Sequence, residues 1–354
     1  MTRTTLLSIL HLVAFWPIAG WYVARTVIDS GNGYALAALG TAVALIVYKC
    51  YMTNYRFYYA VDENNIIKRI THRYDNGGPM IEIPEAITLS QQLNKTFAGK
   101  KVVSVLPKHT PHKLAWYYGN TDTYDEQMKG KTVEKATPIG SFVEIHADEM
   151  RILFSEGTNL SYLESNAKIP KKHQLLIGFD DGTYLCSSVQ MYGGMGCYEA
   201  GKNDNPYYLT AKGKPAPDTE GFTYTYFSEI ARNASLQNKS AKAVLATEQR
   251  IPGLGNGVLQ DILYNAKIHP KRKLSAIDDN ALFGLYESIR ITLAAMSDAG
   301  GRDTEKDLFG DFGGYKTQCS KFNVGKPCPK CGGTIEKKAY MGGSVYYCPG
   351  CQPE

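Results

Sequence analysis

The chain has 354 residues, enough for two or three domains at roughly 100–200 residues each. Hydrophobic residues make up 44% and charged residues 21%; this is the balance of a globular protein and excludes a disordered chain, while 34 Gly without a period exclude collagen. Lys+Arg number 39 against 34 Asp+Glu, an excess too small to demand or exclude a nucleic-acid partner, because acids elsewhere can mask a basic face.

The first 52 residues differ from the rest. Thr4 to Ala24 is nearly continuous apolar sequence, and Tyr34 to Tyr48 is a second apolar run. A membrane-spanning helix needs about 20 apolar residues; the second run reaches that only from Gly33 to about Met52. Arg3 precedes the first run, Lys49, Arg56, Lys68 and Arg69 come after the second, and Arg25 and Asp29 cancel between them. The positive-inside bias puts both ends in the cytoplasm. Residues 4–52 are therefore expected to tether the protein to the cytoplasmic membrane as a helical hairpin. A signal peptide or a buried hairpin are the alternatives, and Gly-Trp-Tyr-Val is a poor cleavage site. Tyr55–Val61 and Ile66–Ile70 read as two strands around Asp62-Glu-Asn-Asn65, and Asp75 to Pro79 is a breaker cluster.

From Met80 onward there is no further membrane signal. Lys168-Ile-Pro-Lys-Lys172 is a small basic cluster that reads as a solvated loop, with contact to backbone phosphate the alternative. Ser240 to Gln249 has helical periodicity, Arg250 to Asn256 breaks it, and Gly257 to Ala266 reads as a second helix. Pro252, Gly253 and Gly255 permit a tight turn that can approach a ligand. Asn256 sits where the new helix starts, and N–H groups there can hold an anion such as a phosphate. Cys328-Pro-Lys-Cys331 and Cys348-Pro-Gly-Cys351 surround a stretch that alternates like a β-hairpin about Gly342-Gly343. Four thiolates at this spacing fit one tetrahedral zinc ion in a closed, structural site and point to a reducing compartment; a disulfide pair or redox CxxC is the minor alternative. Cys50, Cys186, Cys197 and Cys319 show no ligand spacing and read as unpaired thiols.

Together, the Gln249-Arg-Ile-Pro-Gly-Leu-Gly-Asn256 turn and the four-Cys hairpin resemble the formamidopyrimidine-DNA glycosylase and endonuclease VIII family. Met80-Ile-Glu-Ile-Pro-Glu85 resembles that family's start, Gly99 to Val105 its first strand, and Gly300 to Phe309 with Gly314-Tyr315 its connecting segment. The resemblance covers about residues 80–354. It implies an α+β fold: a β-sandwich lobe over 80–215, a helix–two-turns–helix lobe over 216–320 and a zinc finger over 321–354. The membrane hairpin (1–52) and a β-hairpin linker (53–79) precede them. It further implies one structural zinc ion and double-stranded, damaged DNA as partner of a monomer.

The resemblance also assigns roles, and here the chain departs from the pattern. The family's nucleophile is the amine of an N-terminal proline; Ile81 stands in its place. Glu82 matches the catalytic glutamate and Glu85 a later acidic position. The family's phosphate-gripping lysine comes after a Gly, but Gly140 is succeeded by Ser141. Its hairpin arginine falls at Gly343. Gly255 and Asn256 match the phosphate-binding turn, and Lys242 a basic position before it. Gln190-Met-Tyr-Gly193 resembles the family's wedge, which fills the hole left by a flipped base; Met191 and Tyr192 are the wedge candidates and Gln190 a DNA-binding candidate beside them, with an edge-strand turn the equal alternative. The resemblance thus implies a DNA N-glycosylase of base excision repair in which Glu82 activates water, without efficient lyase activity. The alternative is a non-catalytic damaged-DNA-binding protein, and a third is that the membrane part defines the role. Were translation to start at Met80, the protein would be purely cytoplasmic.

Overall fold

The computed structural model of the chain describes residues 80–354. The expected membrane hairpin (4–52) and the strand pair of residues 55–70 lie outside the described residues. Among the described residues, no helix is long and apolar enough to cross a membrane.

Helix α1 (Ile83–Phe97) opens the fold, with Pro84 in its first turn, where the missing N–H costs no hydrogen bond. Its Ala86, Leu89, Leu93 and Phe97 recur at helical spacing and are buried. They lie against two sheets. One has the order β1 (Val102–Pro107), β7 (Leu175–Phe179), β8 (Tyr184–Val189), β6 (Thr158–Leu163). The other runs β2 (Ala115–Tyr118), β9 (Gly193–Glu199), β5 (Met150–Phe154), β4 (Phe142–Ala147), β3 (Val133–Ile139). All pairings are antiparallel except β2 with β9. Val105, Ile145, Ile152, Ile177 and Leu185, drawn from both sheets, share one buried core with α1.

After the short α2 (Tyr124–Met128) and α3 (Pro206–Gly213), which pack on the first lobe, the second lobe is helical: α4 (Tyr224–Arg232), α5 (Ala241–Leu245), α6 (Asn256–Asn265) and α7 (Asp279–Asp298). Its core joins Phe227, Val244, Ile262 and Ile289. The helix expected over 240–249 stops at Leu245. Glu248 and Gln249 take left-handed backbone conformations (φ 58° and 49°), which end a helix, and the Thr247 hydroxyl turns back to donate to the Ala243 carbonyl. The second helix starts at Asn256 rather than Gly257, with Gly255 as its N-cap. Strands β10 (Glu336–Tyr340) and β11 (Gly343–Tyr347) form the C-terminal hairpin. Met341 and Gly342 both have positive φ, the turn that suits the strand twist.

The chain enters between the lobes. Ile81 is buried in the sandwich core and Ile83 in the helical core. Glu82, extended at φ −113° and ψ −174°, lies between them. Two apolar anchors two residues apart thus hold one acid at the lobe boundary.

Candidate active site

Glu82 is 3% exposed. It is the N-cap residue of α1, yet its carboxylate binds the start of another helix, 175 residues away. Its Oε1 accepts from the Gly257 N–H at 2.8 Å and its Oε2 from the Val258 N–H at 2.7 Å. These are unpaired N–H groups of α6's first turn, where the helix dipole favours an anion. Glycine at 257 is required by Arg302: a Cβ there would lie 1.6 Å from the Arg302 Nη1.

Arg302 completes the arrangement. It is 2% exposed, donates through Nε and Nη2 to the two Glu85 carboxylate oxygens at 2.9 and 2.7 Å, and places Nη1 3.4 Å from Glu82 Oε2. Glu85 also accepts from the Glu82 N–H at 3.2 Å. Glu85 is therefore the partner that fixes Arg302 beside Glu82. Burial pushes the Glu82 carboxyl up, while Arg302 and the two N–H donors pull it down; the net direction is upward. Burial works against the Arg302 charge, but Glu82 and Glu85 outweigh it and hold the guanidinium protonated.

Arg302→Met should destabilise the protein by about 3–5 kcal/mol, because it leaves two buried carboxylates without their cation. Without Arg302 the Glu82 carboxyl, already raised by burial, would rise further above its unfolded value, so the deficit should shrink as pH falls. Urea unfolding at pH 5 and pH 8 measures both effects.

Glu82 faces a cavity of about 420 Å³, within the range of small-ligand sites. Two further acids line it, Glu156 and Glu305. Burial, then the Glu82 charge, pushes Glu156 up to about 7. Burial also lifts Glu305 to about 7, and its Oε2 accepts from the Met80 N–H at 2.9 Å. Sequence reasoning missed Arg302, Glu156 and Glu305. Arg302 lies inside the Gly300-to-Phe309 segment, but nothing in its local pattern marks it as a buried partner of Glu82.

Asn256, Gly255 and Lys242 also line this cavity, as do Met191 and Tyr192. Gln190 is exposed and is not among the lining residues, so the structure separates it from the two wedge candidates. The three form the turn between β8 and β9. Ile81 lends no group to the cavity, because its side chain is in the core. Lys168 to Lys172 is an exposed loop, as expected.

The Lys242 side chain is 4% exposed. Its Nζ donates to the Tyr340 carbonyl at 2.8 Å, and burial pushes it down to about 8. A Cβ at Gly343 would lie 3.6 Å from the Lys242 Nζ and 3.8 Å from the Asn256 Nδ2. The hairpin thus has no basic side chain at 343, but an amine from α5 stands where one would begin. At the other lost cation, Ser141 is buried and packed against the Gly253 turn.

Cys328, Cys331, Cys348 and Cys351 bring their sulfurs within 4.8 Å of one another. The Cys328–Cys351 and Cys331–Cys348 sulfurs are 3.7 and 3.4 Å apart. Both are far longer than a disulfide and close to the edge of about 3.8 Å expected for a tetrahedron with Zn–S near 2.3 Å. The donor set fits one structural zinc ion. Cys186, Cys197 and Cys319 are buried and unbridged.

No family model matches the chain. It is 28% identical over 281 residues to a formamidopyrimidine-DNA glycosylase of Bacillus cereus, an alignment that takes in 77% of this chain and 99% of the relative. The Bacillus subtilis protein of the same name is 27% identical over 286 residues, with the same coverage. Among solved structures, the chain resembles the Lactococcus lactis Fpg in complex with an abasic-site DNA (TM-score 0.67, 23% identity). It also resembles that protein bound to DNA containing an oxidised pyrimidine (TM-score 0.67, 25% identity). Each covers 77% of this chain and 100% of the other.

Proposed function

We infer from the chain's membership of the formamidopyrimidine-DNA glycosylase family, over the 77% it shares with those relatives, that it is a DNA glycosylase of base excision repair. It binds duplex DNA in the cleft between its lobes, receives a flipped damaged nucleotide in the cavity, and hydrolyses the N-glycosidic bond. The observation that carries this reading is the Glu82 carboxylate, held at the cavity wall by the start of α6 and by Arg302.

In the reaction, a water oxygen attacks the sugar C1′ and gives a proton to Glu82. The C1′–N bond breaks, its electron pair leaves with the base, and the base takes up a proton. Burial that raises Glu82 makes it a better proton acceptor once ionised. Met191 and Tyr192, which line the cavity, supply the wedge that fills the base stack. Ile81 supplies no amine, so the product is an intact abasic strand. The zinc ion, where bound, supplies structure alone: it closes the hairpin that rests on Lys242 and Asn256. The test is incubation with duplexes carrying oxidised pyrimidines, 8-oxoguanine, formamidopyrimidine, uracil or an abasic site. Strand breaks that appear only after alkali support the reading. Binding without cleavage of any lesion would favour the non-catalytic alternative.

Lys242 adds a pH signature. A phosphate binds the protonated amine, and this amine titrates near 8. DNA affinity should therefore fall as pH rises through that value, and Lys242→Arg should flatten the profile, because arginine keeps its charge. Fluorescence anisotropy at fixed ionic strength checks this.

A further inference from the structure

Two loops outside the cleft are bound into one surface. They connect β1 to β2 (residues 108–114) and β6 to β7 (164–174). Lys108 donates its N–H to the Gln174 carbonyl at 2.7 Å, and Thr110 donates its own to the His173 carbonyl at 2.9 Å. The Thr110 hydroxyl reaches the Lys171 carbonyl at 3.2 Å, and the Gln174 Nε2 the Thr110 carbonyl at 3.0 Å. The His109 and His173 rings stack in parallel, 4.2 Å apart. These loops are braced, so their side chains project from a set backbone.

Their charge is one-sided. Lys113, Lys168, Lys171 and Lys172 are exposed, Lys108 stands with them, and Glu164 is the only acid in either loop. Among the described residues, the ion pairs lie elsewhere. Uncompensated lysines on a rigid surface attract a polyanion. Trp116, on the edge strand β2 that comes directly after the first loop, is 52% exposed. An exposed tryptophan next to lysines is the composition that binds nucleic-acid strands, with the ring stacking on a base and the amines on phosphates.

The surface is continuous with the cleft. β2 pairs with β9, Trp116 opposite Gly194, and the Gly193 N–H donates to the Leu114 carbonyl at 3.0 Å. The Trp116 and Tyr192 rings lie 6.1 Å apart, and Tyr192 lines the cavity. The Gln174 Oε1 accepts from the Val189 N–H at 2.7 Å, tying the lysine loop to the same turn.

We propose that the two loops and Trp116 form a second DNA-contact surface beyond the cleft. It takes the phosphates and one unstacked base of the strand that leaves the cavity past Tyr192. This rests on the DNA-binding reading of the cleft and extends it to a longer footprint.

The full chain is titrated with a lesion-bearing duplex of about 25 base pairs over a range of salt concentrations. Trp116→Ala should weaken binding by about 5- to 100-fold, the loss of one base–aromatic stack, and Trp116→Phe should restore most of it. Lys108→Glu with Lys171→Glu should lower the slope of log affinity against log salt by about 1.5, at roughly 0.7–0.9 per phosphate. Lys95→Glu with Lys129→Glu makes the same change in net charge outside both loops and should leave the slope near that of the parent. Thermal melting of every variant reports folding. If the parent binds no DNA, the glycosylase reading fails with this one. If the parent binds and the loop variants match the control pair, only the second surface is overturned. It is also overturned if the loop variants lose binding to phosphatidylserine vesicles while their DNA affinity is unchanged, which would assign the lysines to a membrane.

Discussion

Glu82→Gln should lower the rate of base release by about 10²–10⁴-fold, the range for removing a positioned general base, while duplex DNA still binds. The substitution keeps the shape and one acceptor oxygen at the start of α6, but an amide cannot take a proton from water. Its structural cost is small relative to the effect on rate. One of the two N–H groups, Gly257 or Val258, loses its acceptor and faces the amide NH2, the other keeps a neutral oxygen, and Arg302 retains both oxygens of Glu85. Single-turnover assays with saturating protein separate the chemical step from binding. An unchanged rate would remove Glu82 from the reaction. A loss of binding equal to the loss of rate would mean that it only holds the lobes together.

Removing zinc, by chelation or by Cys348→Ser, should cost about 10²–10⁴-fold in DNA affinity, the equivalent of two charge-assisted hydrogen bonds at about 1.5–3 kcal/mol each. The sulfurs are the main restraint on a short hairpin whose own core is only Val345, Ile335 and their neighbours. Structural zinc contributes on the order of 10–16 kcal/mol to the folding of small finger peptides, so the apo hairpin should open locally. The affinity is lost through the contacts that opening breaks. The Asn256 Nδ2 donates to the Ser344 carbonyl at 3.0 Å, the Tyr346 N–H to the Gln260 Oε1 at 2.9 Å, and the Lys242 Nζ to the Tyr340 carbonyl. An open hairpin therefore releases Asn256 and Lys242, the two proposed phosphate-binding side chains. The sandwich lobe should keep its melting transition, because its core contains no hairpin residue. Calorimetry with and without chelator, alongside DNA titration, checks both parts; unchanged affinity in the zinc-free protein would separate the hairpin from DNA binding.

The features legible in the sequence were those written locally. The four cysteines need only their spacing and a turn to meet, and Met341-Gly342 supplies the turn. The break before Asn256 arises from proline and glycine chemistry, although the preceding helix proved shorter because Glu248 and Gln249 adopt positive φ. Met191 and Tyr192 could be named from a short motif, but the same motif included Gln190, which does not line the cavity; a three-residue turn gives each side chain its own direction.

The rest depended on approach between distant segments. Arg302 meets Glu85 across 217 positions of sequence, and no local pattern reports a pairing in which each charge offsets the cost of burying the other. The missing hairpin arginine reads in the sequence as a lost cation. Only packing reveals that the Lys242 amine stands at the site a side chain on Gly343 would enter. The scattered lysines of the two loops likewise become one surface through backbone hydrogen bonds between those loops. By itself, then, the sequence determined the zinc ligands and the turn, because spacing and backbone chemistry act over a few residues. The tertiary structure decided which charges face which, because electrostatic partners are set by distance in space and by exclusion of water.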